Sequence, residues 1–199
     1  EDALNGTNSA ENLIAHEIVH QWFGNSATEK DWPHLWLSEG FATYLTNIYI
    51  EKTKGDLAFK AQLKQDRKKV VNFDKRYHHP VVDIDHQSLM DLLNPNSYQK
   101  GGWVLHMLRA EIGDDLFQEC IQTYYQKYKR SNANSKDFQH VVETVCDKDF
   151  STFFNQWLHR AGHPKLQIKS SFENRRLSLE INQKEGIFNF PLKVEIKCT

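Results

Sequence analysis

The sequence predicts a mainly α-helical domain over residues 1–164 and a short β segment over residues 165–199. Two observations carry this. Apolar residues recur at helical spacing in several windows up to about residue 160, and glycines punctuate those windows where helices stop. After Pro164 the pattern changes to strict alternation, as in Leu177-Ser178-Leu179-Glu180-Ile181, which is the period of a half-buried strand.

The first helix is signalled by Asn8 or Ser9 as cap and Glu11 three residues after Asn8, and ends at Gly24-Asn25. Leu13, Ile14, Ile18, Val19, Trp22 and Phe23 cover more than one stripe of it, which predicts burial on most sides. Asp31-Trp32-Pro33 reads as a turn. A second helix follows from about Leu37 to Lys52, with Gly55 as its stop, and a highly charged third from about Asp56 to Asn72 with a solvated outer face. Residues 74–97 form a long connection containing Pro80 and Asn94-Pro95; connections of this length are often functional. Further helices are expected at Tyr98–Ile112, Asp115–Lys129, Ser135–Cys146 and Ser151–Arg160. Residues 166–169, 177–181 and 192–196 read as three short strands, a small sheet or the opening of a larger β domain.

Composition limits the function classes. The chain of 199 residues is 39% hydrophobic and 12% aromatic, enough for a packed core, and its formal net charge of -1 gives no electrostatic footprint for nucleic acid or a membrane surface. No apolar run approaches the roughly 18–20 residues of a membrane span. Cys120, Cys146 and Cys198 are widely spaced, with neither a disulfide framework nor a thiolate zinc site indicated. Asn5-Gly6-Thr7 matches a glycosylation acceptor, a pattern short enough to arise by chance. Glu1 starts without a leader sequence, so the chain reads as a piece of something longer and its compartment stays open.

The chemistry is carried by His16-Glu17-Ile18-Val19-His20. Residues four apart share a helix face, so both imidazoles can approach one metal, while Glu17 projects about 100° around the axis and can reach a water without ligating. A catalytic zinc set of two His and a carboxylate needs a third ligand and an open position. Glu39, on the next helix and separated from His20 by eighteen residues, is the candidate. The remaining histidines have no ligand spacing to this site and read as structural or surface residues; Asp31 is a weak candidate for supporting a ligating imidazole.

His16-Glu17-Ile18-Val19-His20-Gln21-Trp22-Phe23-Gly24-Asn25, with Trp36-Leu37-Ser38-Glu39-Gly40-Phe41-Ala42, resembles the zinc aminopeptidases of the gluzincin clan, the group of aminopeptidase N and the leukotriene-hydrolase-type enzymes. Tyr98-Gln99-Lys100-Gly101-Gly102-Trp103 and Phe154-Asn155-Gln156-Trp157-Leu158 extend the resemblance over about residues 9–166. It implies a thermolysin-like helical catalytic lobe, one Zn2+ held by His16, His20 and Glu39, Glu17 as general base, Tyr98 as the transition-state tyrosine, and peptides with a free N-terminus as substrates. Ser38 stands where the family often has Asn, and Gln99 where it often has Glu. The family's Gly-x-Met-Glu-Asn loop, which grips the substrate amine, is absent from this chain, and the resemblance implies an upstream lobe of the parent protein that carries it. Two rival functions remain: another zinc hydrolase on the same scaffold (an endopeptidase or epoxide hydrolase), and a catalytically silent module that binds zinc or peptide ends.

Overall fold

The computed structural model describes residues 8–196; Asn5-Gly6-Thr7 and Cys198 lie outside the described residues. Contacts divide the chain into two compact units, 1–161 and 162–199.

The first unit is built around α2 (Trp36–Lys54). Its residues Trp36, Phe41 and Tyr44 are fully buried, since α1 (Asn8–Val19), α3 (Asp56–Asp74) and α5 (Gly101–Ile112) all pack on it. An aromatic cluster fills the space beyond: Phe41 stacks on Phe23 at 4.6 Å and meets Phe138 edge-on at 5.2 Å. Tyr124 of α6 (Asp114–Tyr128), Phe138 of α7 (Ser135–Cys146) and Phe154 of α8 (Ser151–Leu158) complete that core. Two three-residue strands, β1 (Ala27–Glu29) and β2 (Ser131–Ala133), pair in parallel and tie the segment after α1 to the start of α7. The helix stops follow the glycines: Gly55 and Gly113 have φ of 85° and 88°, which costs a residue without Cβ nothing. Where α2 meets α5 the contact is backbone on backbone. A Cβ on Gly40 would lie 3.0 Å from the Gly101 carbonyl carbon, so only glycines allow this approach.

Several expectations are corrected. Asn8 and Ser9 lie inside α1 rather than at its cap, and α1 stops at Val19, the chain continuing through turns to Gly24. Nor is α1 buried on most sides: Leu13, Ile14 and Ile18 are 61%, 49% and 51% exposed, because its neighbours in the structure cover one side only, and Trp22 in the turns that follow is 47% exposed. The connection after α3 is interrupted by the short α4 (Leu89–Leu92), held by a capping box of Ser88 and Asp91. Tyr98 is not in an α-helix; it lies on a π-helical turn, Asn96–Lys100, that leads into α5.

The second unit contains the antiparallel hairpin of β3 (Lys165–Glu173) and β4 (Arg176–Lys184). Asn174 and Arg175 form its two-residue turn with φ of 51° and 61°, the left-handed pair such hairpins require. Ile168 faces Ile181 and Phe172 faces Leu177 across the strands. Residues 192–196, expected as a third strand, have no strand structure among the described residues. Alternation alone does not form a strand without a paired edge.

Candidate metal centre

His16 and His20 are one turn apart at the end of α1, and Glu39 is in the first turn of α2, which packs against α1. The three side chains converge. His16 Nε2 is 3.2 Å from Glu39 Oε2, His20 Nε2 is 3.3 Å from the same oxygen, and the two nitrogens are 3.1 Å apart. Donors about 2.0 Å from one tetrahedral zinc stand roughly 3.3 Å from each other, so the triangle has the size a metal requires. Among the described residues this is the group of His, Cys, Asp and Glu side chains that could hold a metal ion.

The protonation pattern supports the same reading. His20 Nδ1 lies 3.0 Å from the carbonyl oxygen of Phe23. An imidazole nitrogen beside a carbonyl carries the proton, so in the neutral ring Nε2 is the lone pair aimed at the centre. That lone pair faces a carboxylate oxygen and a second imidazole nitrogen, an arrangement of acceptors that calls for a cation. Burial alone would raise the Glu39 pKa, yet the neighbouring His16, His20 and Tyr98 side chains outweigh it and bring the carboxyl down to about 2. The Glu39 hydrogen bond raises the His20 pKa against the opposing effect of burial. A proton can bridge two of these atoms; a metal can satisfy all three.

The walls hold the ligands from behind. A Cβ on Gly24 would stand 2.9 Å from His20 Nδ1, and Gly24 has φ of 123°. Ser38, next to Glu39, donates its hydroxyl to the Glu29 carboxylate, linking β1 to the start of α2. We expect Gly24→Ala to weaken metal binding by about 10–100-fold, the usual size for a disturbed support of a ligating His. Competition against a calibrated chelator measures it; an unchanged affinity would show that the ring has room to shift.

Tyr98 reaches the site from the π-helical turn. Its ring stacks on His16 at 6.0 Å with planes 11° apart, and it stands near enough to Glu39 for each to act on the other's acidity. Burial and then the Glu39 charge push its pKa well up, so it stays a hydroxyl donor. Glu17 is exposed beside His16, and its charge is felt at both His20 and Tyr98. The residues singled out from the sequence, His16, Glu17, His20, Glu39 and Tyr98, are thus brought together. Asp31 is not: it faces His34 at 3.5 Å, and the support of His20 is the Phe23 carbonyl instead. Several other histidines pair elsewhere, His34 with Ser135 and His106 with Tyr44, for example. A backbone carbonyl leaves no mark in a sequence, so the Phe23 contact could not have been read there.

A model of the peptidase family M1 domain matches residues 2–157. Aminopeptidase M1-C of Oryza sativa is 32% identical over 88% of this chain and 20% of its own length, and the probable aminopeptidase 2 of Sulfurisphaera tokodaii is 31% identical over 92% and 25%. The chain therefore spans about a fifth to a quarter of the length of these curated relatives. Among solved structures, Legionella pneumophila aminopeptidase A superposes with a TM-score of 0.74 at 23% identity over 89% of this chain and 20% of that one. An M1 zinc metallopeptidase from Deinococcus radiodurans gives 0.66 at 24% identity over 78% and 34%. These likenesses fix the fold. No helix among the described residues is long and apolar enough to cross a membrane.

Proposed function

The chain belongs to peptidase family M1, and from that premise we propose that it supplies the zinc centre of an aminopeptidase, with His16, His20 and Glu39 as ligands, Glu17 as general base and Tyr98 as oxyanion donor. The observation that carries this is the closure of three donor atoms to within 3.1–3.3 Å of one another beside a carboxylate and a phenol. We further propose residues 1–164 as the helical part of the catalytic domain and 165–199 as the start of a β domain.

When bound, zinc supplies a Lewis acid that polarises the scissile carbonyl and acidifies water. Glu17, exposed and unligated, takes a proton from the attacking water and hands it to the leaving amine. Tyr98 offers its hydroxyl to the carbonyl oxygen as negative charge grows there. Glu39, strongly acidic in this setting, stays a carboxylate through the cycle and keeps the two imidazoles in register.

The test is hydrolysis of aminoacyl-arylamides by the full-length protein, beside the same compounds with an acetylated amine. Turnover of the free-amine compounds only is expected, lost on chelation and restored by zinc. Equal turnover of the acetylated series would favour an endopeptidase. Stoichiometric zinc with no turnover of either series would favour the silent module.

A further inference from the structure

Cys120 and Cys146 take no part in the metal centre, and their spacing in the chain does not relate them. The fold does. Helices α6 and α7 pack against each other, and two contacts show that they run in opposite directions. At one end the Tyr128 hydroxyl donates to Asp137 Oδ1 at 3.3 Å. At the other, Lys148 just past α7 pairs with Glu111 just ahead of α6 at 2.8 Å. Cys120 lies eight residues before Tyr128, and Cys146 nine residues after Asp137. At about 1.5 Å per residue, both stand roughly 12–14 Å from that first contact, in the same direction.

They also sit on the stripes that face each other. Cys120, Tyr124 and Tyr128 recur every four residues on α6, as Phe138, Val142 and Cys146 do on α7. The stripes meet where the Tyr124 and Phe138 rings lie edge to face at 5.1 Å. Cys120, Tyr124, Phe138 and Val142 are buried there, while Cys146, at the end of α7, keeps partial contact with solvent. Packed helices lie about 8–10 Å apart with Cα atoms about 2.3 Å off each axis, so facing Cα atoms approach to about 4–5 Å. A disulfide needs about 4.4–6.8 Å. Both thiols are free in this structure. Burial, and then the neighbouring Cys146, push the Cys120 thiol up to about 12, and burial raises Cys146 against the opposing effect of Cys120. Each sulfur thus acts on the other.

We propose that Cys120 and Cys146 form a redox site, which a small-molecule disulfide oxidises to an intramolecular disulfide that staples α6 to α7. Cys146, the more exposed of the two, releases its proton to solvent, and its thiolate attacks one sulfur of the small disulfide. That S–S bond breaks, one half leaves as a thiolate and takes up a proton, and Cys146 carries the other half as a mixed disulfide. Cys120 then loses its proton and attacks the Cys146 sulfur, and the second half leaves and is protonated. The two protein thiols give up two electrons and two protons, and the small disulfide takes them up to become two thiols.

The experiment incubates the full-length protein with glutathione disulfide at mildly alkaline pH, caps the remaining thiols and digests with trypsin without reduction. The expected product is residues 110–127 joined to residues 137–148, two hydrogens lighter than the two peptides together and separated again by dithiothreitol. Cys120→Ser is expected to stop at the mixed disulfide on Cys146, and Cys146→Ser to leave Cys120 unmodified. Amides that exchange hydrogen only when α6 and α7 part are expected to exchange about 100-fold more slowly in the linked protein, because the link removes the freedom of the chain between them. A mixed disulfide on Cys146 that never resolves in the unmutated protein overturns the proposal. So does a link from either cysteine to Cys198, a link that forms only in denaturant, or hydrogen exchange that the link leaves unchanged.

Discussion

Glu17→Gln is expected to keep zinc and lose turnover by about 10²–10⁴-fold, the usual share of a general base. The amide has the shape of the carboxylate but cannot accept the proton from water. Glu17 lies on the exposed side of α1, and the converging donors are His16, His20 and Glu39, so the substitution leaves the metal set in place. Zinc stoichiometry and kcat, measured on one preparation, check this. Activity retained at the parent level would assign the base to another residue. Zinc lost along with activity would show that Glu17 helps hold the ligand helix.

Tyr98→Phe is expected to lower kcat by about 10²–10³-fold with a small change in KM, because loss of one oxyanion donor is felt in the transition state. Burial and the Glu39 charge keep the hydroxyl protonated, so it is available as a donor when substrate offers an acceptor. The ring stack on His16 survives the change to Phe. A pure KM effect would make Tyr98 a binding residue. A fall in zinc affinity of similar size would mean that Tyr98 chiefly tunes the ligand Glu39.

Much of this fold was legible because its signals are local. α7 runs from Ser135 to Cys146 as its spacing predicts, and α2 and α5 stop at Gly55 and Gly113. The core of the site was legible for the same reason: a four-residue spacing on one helix is geometry, and Glu39 follows on the next helix. What failed to show depends on distant partners. An all-round apolar helix reads as buried, yet Ile14 and Ile18 are about half exposed, since periodicity records which faces are apolar and not what covers them. The parallel pairing of Ala27–Glu29 with Ser131–Ala133 joins segments too short to carry any period. Residues 192–196 alternate as a strand does but find no paired edge. The π-helical turn that aims Tyr98 at His16 was invisible too, because its five residues have the composition of an ordinary helix start. Around the metal ligands the supporting contacts are a backbone carbonyl at Phe23, a missing Cβ at Gly24 and a Ser38–Glu29 hydrogen bond, none of which has a sequence pattern.

The central claim is that His16, His20 and Glu39 together hold one zinc. X-ray absorption at the zinc edge, on protein with its metal content measured, tests it most directly. The account predicts one zinc per chain in a shell of nitrogen and oxygen only, with imidazole scattering from two histidines, and loss of that zinc in Glu39→Ala. Sulfur in the shell, or a full zinc content that survives Glu39→Ala with its spectrum unchanged, would contradict it.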